Sequence, residues 1–222
     1  MQKRKSLKEL FNILIPKYAV PWVAALIISL FVVYYGSVLV TAGFEHHYIS
    51  TALDAKIPLI PQAVIVYCLY YIFWLVNFII IARENRDTCS RVLTGVIISK
   101  LIALAVYILY PTTMVRPPVD GTDFFSSLLR FIYSVDKPTN LMPSIHCMDS
   151  WLCWRGLSGC KKVPRGYKTF SFIFAMMVCA STVLIHQHVL IDIPTGIICG
   201  EIGLFISKAF IYKNSSPEDT KN

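Results

Sequence analysis

Long apolar blocks alternate with short basic segments along this chain, and several blocks match the length of a membrane-crossing helix. A hydrocarbon core about 30 Å thick takes roughly 20 apolar residues as α-helix. Val20 to Thr41 and Ile57 to Ala82 carry no charge, and Val92 to Tyr110 carries only Lys100. Three further blocks are interrupted. Leu141 to Leu157 contains His146, Asp149 and Arg155, Phe170 to Ile185 is short, and Val189 to Ile211 contains Asp192, Glu201 and Lys208. Ionisable groups inside a span are costly unless they meet a partner or a wet cavity. The pattern predicts an all-α, polytopic bundle of six transmembrane helices. Two amphipathic stretches flank it. Residues Lys5 to Lys17 set Leu7, Leu10, Phe11 and Leu14 against lysines, and Asp123 to Ser134 interleaves Phe124, Phe125, Leu128, Leu129, Phe131 and Ile132 with polar positions. Both read as helices lying in the membrane interface. For the second, an ordinary packed reentrant segment is the alternative.

Composition agrees with that picture and removes others. Of 222 residues 55% are hydrophobic and 15% charged, with a mean hydropathy of +0.58, too few charges to cover a soluble globule. The net charge of +8 raises the question of nucleic acid, but the cations cluster between the apolar blocks, as topology requires. Sixteen Lys and Arg fall on one set of alternating segments, four (Lys56, Arg116, Arg130, Lys137) on the other, and Lys100 within a span. That split predicts both termini in the cytoplasm, with Arg116 and the loop before the last span outside. The basic start followed by Val40-Thr41-Ala42 has a faint look of a cleavage site, but the apolar run is too long for a signal-peptide core, so an uncleaved first helix is expected. Seven cysteines, spread over spans and basic loops with no Cys-x-x-Cys, read as small apolar packing residues. Residues 1–213 form a single membrane domain on this reading, with 214–222 a solvated tail.

Candidate chemistry collects on the predicted outer side. Arg116 follows the third span in Tyr110-Pro111-Thr112-Thr113-Met114-Val115-Arg116-Pro117-Pro118. The prolines stop the helix, and a planar guanidinium on a rigid turn suits a phosphate; an Arg snorkelling to headgroups is the alternative. Pro143-Ser144-Ile145-His146 opens the fourth block, where helix N-terminal N–H groups favour an anion. His188 and Asp192 stand four apart, a spacing that on a helix stacks them, so that the carboxylate holds one ring nitrogen and frees the other.

Arg116-Pro117, then Pro143-Ser144-x-His146, then Ser181 followed by His188-x-x-x-Asp192 resemble, in order, the three signature motifs of the type 2 phosphatidic acid phosphatase superfamily of integral-membrane lipid phosphatases and phosphotransferases. The similarity runs from the third span to the sixth. Asp136-Lys137-Pro138-Thr139-Asn140 leading into Pro143-Ser144-Ile145-His146, with Gln187-His188, is most similar to the branch with inositol phosphorylceramide synthase and many bacterial relatives. The resemblance implies His188 as a nucleophile that becomes phosphohistidine, oriented by Asp192. It implies His146 as the acid for the leaving alkoxide and then the base for the acceptor. Arg116 and Ser144 would bind phosphoryl oxygens, and neither metal nor cofactor is implied. The substrate would be a membrane lipid, met in the bilayer on the extracytoplasmic side of a cell (inner or plasma) membrane; nucleic acid is not a partner.

The chain departs from the family pattern at three places. Leu109 stands where the first motif has Lys, Thr182 where the third has Arg, and Ile145 where the second has Gly. Lys137 and His186 are the nearby replacements for the missing cations. The resemblance implies a lipid phosphate phosphatase acting on a phosphatidic acid-like or isoprenyl (pyro)phosphate lipid, and the loss leaves room for a diester headgroup and so for the alternative, a phospho-headgroup transferase. Asp149, three residues after His146, is placed to make a second His-Asp pair or to be a hydrated carboxylate. A metal set of His186, His188 and Asp192 is disfavoured, because helical residues two apart diverge. A transporter or channel lined by Asp149, Asp192, Glu201 and Lys208 is the non-enzymatic alternative. Glu201 and Lys208, near two helical turns apart, are placed to share a polar face.

Overall fold

The structure is a computed structural model that describes residues 14–214, with side chains through Phe210. Most of the amphipathic stretch at Lys5 to Lys17, and the tail beyond 214, lie outside the described residues. Seven helices carry the fold: α1 (Lys17–Thr41), α2 (Val64–Glu84), α3 (Arg86–Leu109), α4 (Phe124–Val135), α5 (Ile145–Ser158), α6 (Arg165–Leu184) and α7 (Asp192–Asn214). Five of them, α1, α2 with its preceding 3-10 turn, α3, α6 and α7, are long and apolar enough to cross a membrane. Each apolar block anticipated as a span is helical, and the amphipathic stretch after Arg116 is α4.

The fourth block differs from its expected form. Leu141 to Ser144 are not helical, and α5 has 14 residues, about 21 Å of rise against a hydrocarbon core of about 30 Å. Its charged residues explain its place. Helix α5 packs against α2, α3, α6 and α7, and Met148, Leu152, Cys153 and Leu157 are fully buried. A helix enclosed by others can be short and polar because protein, not lipid, surrounds it.

Helix ends follow local chemistry. Asn85 alone separates α2 from α3 and caps α3 by accepting the Thr88 N–H at 2.8 Å. Ser144 caps α5 through the Cys147 N–H at 3.3 Å, and Asp123 caps α4 through Phe125 and Ser126. Within α1, Val32–Gly36 forms a π-helical turn.

Small residues let α7 approach its neighbours. A Cβ on Gly203 would lie 2.1 Å from Ser99 Oγ and 2.5 Å from the Gly95 carbonyl, so α3 and α7 meet almost backbone to backbone. A Cβ on Gly196 would lie 2.7 Å from the Ser144 carbonyl. Gly196 therefore sets how close the start of α5 comes to the start of α7, and these ends carry His146 and Asp192.

The loops at the end of the bundle that carries Arg116 are tied together by backbone. Two-residue strands β1 (His47–Tyr48) and β2 (Thr112–Thr113) pair in parallel, and Thr112 accepts the Leu141 and Met142 N–H groups on its hydroxyl at 2.9 and 3.1 Å. The segment bearing Arg116 is thus fixed to the one leading into Ser144.

Candidate active site

Helix α6 ends in a Schellman turn that aims the chain at the site. The His186 N–H donates to the Val183 carbonyl and the Gln187 N–H to that of Thr182, with His186 in the left-handed region at φ 48°. His188 follows in this turn, outside any helix, and Asp192 is the first residue of α7. The pairing expected from their spacing forms, with His188 Nδ1 2.9 Å from Asp192 Oδ2. Its basis differs: a turn closing on a helix start brings them together, not a shared helical face. The same carboxylate oxygen accepts the Val189 N–H at 3.1 Å. A carboxylate acceptor places the ring proton on Nδ1 and leaves a lone pair on Nε2. Burial disfavours the His188 imidazolium, but the hydrogen bond and charge of Asp192 outweigh it, and the pKa lies above the ordinary histidine value.

His146, in the first turn of α5, stands beside His188 with ring centroids 5.8 Å apart. It is walled by Tyr67 at 4.5 Å and Tyr70 at 4.7 Å. Ser144 is buried and its hydroxyl is engaged in capping α5. Arg116 donates from Nη1 to the Asp136 carbonyl at 2.6 Å and from Nη2 to Gln187 Oε1, and Tyr133 lies 4.5 Å from its guanidinium carbon. Burial lowers its pKa and Asp136 opposes the shift, so it remains a cation. Its Nε is buried without a partner among the described residues.

The contacts close into a ring. His146 meets Tyr67, Tyr67 donates to Asp136 Oδ2 at 3.2 Å, Asp136 accepts from Arg116 through its carbonyl, and Arg116 binds Gln187, the residue before His188. Arg116, Ser144, His146, His188 and Asp192 are thus assembled at one end of the bundle. The chain matches no family model and no curated protein. The resemblance therefore rests on the motifs, and the chemical reading on this geometry.

Two proposed phosphate ligands are not brought in. Lys137 is exposed and makes no side-chain hydrogen bond or ion pair among the described residues. His186 turns its Nε2 to the Ile57 carbonyl at 3.2 Å, because the left-handed C′ position points it away from the ring carrying Arg116. It does not converge with His188 and Asp192 as a metal set would require. The positions of the missing family cations face elsewhere too: Leu109 is 82% exposed and Thr182 is buried beside Cys147. Lys137→Ala and His186→Gly are expected to leave KM for a phosphorylated lipid within about twofold of wild type, and His186→Gly to change stability by no more than about 1 kcal/mol. Michaelis kinetics and thermal melts of the two variants check this, and a severalfold rise in KM would return either residue to the site.

Asp149 does not pair with His146. Its Oδ2 accepts Lys100 Nζ at 2.6 Å and the Tyr70 hydroxyl at 3.1 Å, all inside the bundle. In place of either a second His-Asp pair or a hydrated carboxylate, Asp149 forms a buried ion pair one turn below His146. Glu201 likewise binds Arg155 and the Trp151 N–H, not Lys208.

Sequence reasoning missed Asp136, Tyr67 and Asp54. Asp54 Oδ1 accepts the Leu190 N–H at 2.7 Å, while Oδ2 accepts Thr51 N–H and hydroxyl at 2.7 and 2.6 Å. Leu190 lies two residues from both His188 and Asp192, so this carboxylate fixes the turn between them from a distant loop. Burial alone would raise the Asp54 pKa, yet these bonds hold it below the ordinary value. The local Thr51-x-x-Asp54 spacing was a legible signal for a turn, but not for its long-range partner.

Proposed function

We propose that this chain is a membrane-embedded phosphoesterase that acts on a phosphorylated lipid through a phosphohistidine on His188, without a metal. The observation that carries the reading is the pair of adjacent imidazoles, one oriented by a buried carboxylate, beside a fixed guanidinium. His188 Nε2 attacks phosphorus as the lipid alkoxide leaves with a proton from His146. His146 then takes a proton from water, whose oxygen displaces the histidine and releases phosphate. Arg116, with N–H donors to spare, and the backbone N–H groups at the start of α5 stabilise the charge in transfer. In this proposal α5 is the sixth, internal crossing, both termini are cytoplasmic, and the site faces the extracytoplasmic leaflet of an inner or plasma membrane. The exposed Phe124 and Phe131 of α4 lie in that interface, where a lipid headgroup can enter sideways.

One observation favours a second reading, transfer of a phospho-headgroup to a lipid alcohol. Asp136 offsets the charge of Arg116, which suits a monoanionic diester better than a monoester dianion. The pore reading has no such support. Asp149, Asp192 and Glu201 are each tied to a separate partner.

Purified protein in chelator, given phosphatidic acid, an isoprenyl pyrophosphate or phosphatidylinositol, tests both readings. Phosphate release from a monoester supports the hydrolase. New lipid product appearing only with an added lipid alcohol supports the transferase, and neither would sink the proposal.

The pH dependence has a definite sign. A protonated His188 cannot attack, so kcat/KM falls as pH drops through its pKa, and that fall lies above the ordinary imidazole range. Asp192→Asn removes the group that raises this pKa. Its acidic limb is expected at lower pH with a reduced plateau, and an unmoved limb would show that Asp192 does not control His188.

A further inference from the structure

At the end of the bundle opposite the histidines, α3, α5 and α7 line an open-mouthed cavity of about 490 Å³. Asp192 and Lys208 are sixteen residues apart on α7, so this cavity lies about 24 Å of helix from the catalytic turn. Its volume falls within the roughly 300–1,000 Å³ of small-molecule sites. Three cations line it, Arg91, Arg155 and Lys208, with one carboxylate, Glu201.

The charges are not equivalent. Glu201 is held in a fork by Arg155, through Nε at 2.5 Å and Nη2 at 3.2 Å, and by the Trp151 N–H at 2.7 Å. That pair is internally neutral and forms a rigid wall. Arg91 and Lys208 have no side-chain hydrogen bond or ion-pair partner among the described residues. The backbone that carries them is held together, because the Ser207 hydroxyl donates to the Arg91 carbonyl at 2.7 Å, tying α3 to α7 next to Lys208. The guanidinium of Arg91 lies against Gly159, where a Cβ would sit 3.3 Å from Nη2. Two cations therefore converge on one cavity with their charge unmatched. The cavity rim is apolar: Phe205 is 74% exposed, and Ile198 and Ile202 continue an exposed stripe along α7 toward the middle of the bundle.

We propose that this cavity binds the phosphate of an anionic phospholipid from the leaflet opposite the histidine cluster, with Arg91 and Lys208 on the phosphate and the acyl chains along the α7 stripe. Phosphate is the chemistry a guanidinium and an ammonium recognise together, and the apolar stripe selects a lipid over a soluble anion. The inference stands whether or not His188 is a nucleophile.

The test is binding of phosphatidylglycerol to the full-length protein in phosphatidylcholine nanodiscs, read as retained lipid by native mass spectrometry and as melting temperature. Wild type is expected to retain phosphatidylglycerol and melt higher than in phosphatidylcholine alone. Arg91→Gln/Lys208→Gln is expected to weaken retention at least about tenfold, since each lost contact is a charge-assisted hydrogen bond. The charge-matched control Arg83→Gln/Arg86→Gln, exposed at the same end but outside the cavity, should retain the lipid. Equal loss in both double variants, or no loss in the first, would overturn the proposal. Stabilisation by inorganic phosphate alone that needs Arg91 and Lys208, with no further gain from phosphatidylglycerol, would also overturn the lipid assignment and give the cavity to a soluble phosphate.

Discussion

Alanine at His188 is expected to lower lipid phosphate turnover by roughly 10⁴–10⁶-fold, because in the proposed mechanism it removes the atom that bonds to phosphorus. The loss should fall on kcat, since Arg116 and the start of α5 still hold the substrate. It should come without loss of folding: His188 sits in a turn whose course is set by backbone bonds to Thr182 and by Asp54 through Leu190. Rapid quench of wild type with labelled substrate is expected to trap an acid-labile phosphoprotein, and His188→Ala to trap none. A variant that keeps more than about a hundredth of wild-type turnover would remove the covalent step from the mechanism. Arg116→Ala should behave differently, raising KM as well as lowering kcat, because that side chain meets both bound substrate and transition state.

The second large effect is on stability. Lys100→Met is expected to destabilise the protein by about 3–5 kcal/mol, the typical result of leaving one buried charge without its partner. Lys100 and Asp149 have fully buried side chains, and Asp149 Oδ1 already lacks a hydrogen bond among the described residues. Methionine matches the length of the lysine stem, so the loss reports the stranded carboxylate and not a cavity. Lys100→Met/Asp149→Asn should recover most of it, because the amide is neutral and still accepts from Tyr70. Thermal melts of the two variants in detergent check this. A single variant as stable as wild type would mean that the Lys100–Asp149 pair does not hold the bundle together. The pair also braces the site, since Tyr70 touches both Asp149 and His146.

Hydrophobic period and charge placement were enough to locate every apolar helix, because a span must be long and uncharged wherever lipid surrounds it. They overstated the fourth, where charges at His146, Asp149 and Arg155 signalled enclosure by protein. Only packing distinguishes a helix at the centre of a bundle from one at its rim. The same holds for Gly196 and Gly203, whose role appears once the neighbouring backbone is in place.

Motif spacing singled out Arg116, Ser144, His146, His188 and Asp192, and the structure brings them to one end of the bundle, where local turns and caps fix those close in sequence. Lys137 and His186 do not join that cluster, because nearness in sequence does not set direction, and a left-handed residue at a helix end turns its side chain away. Spacing left Asp149 either to the nearest histidine or to water, whereas its partner is a lysine on another helix, inside the bundle. Arg91, Arg155 and Lys208 were grouped correctly on one end by charge counting, yet nothing local showed that they share a cavity. The sequence by itself determined where the apolar helices lie and which candidate residues stand near their ends, because helix length and the cost of charge in lipid act along the chain. The tertiary structure alone decided which of those groups meet, because contacts such as Lys100 with Asp149 and Asp54 with Leu190 join positions that no periodicity connects.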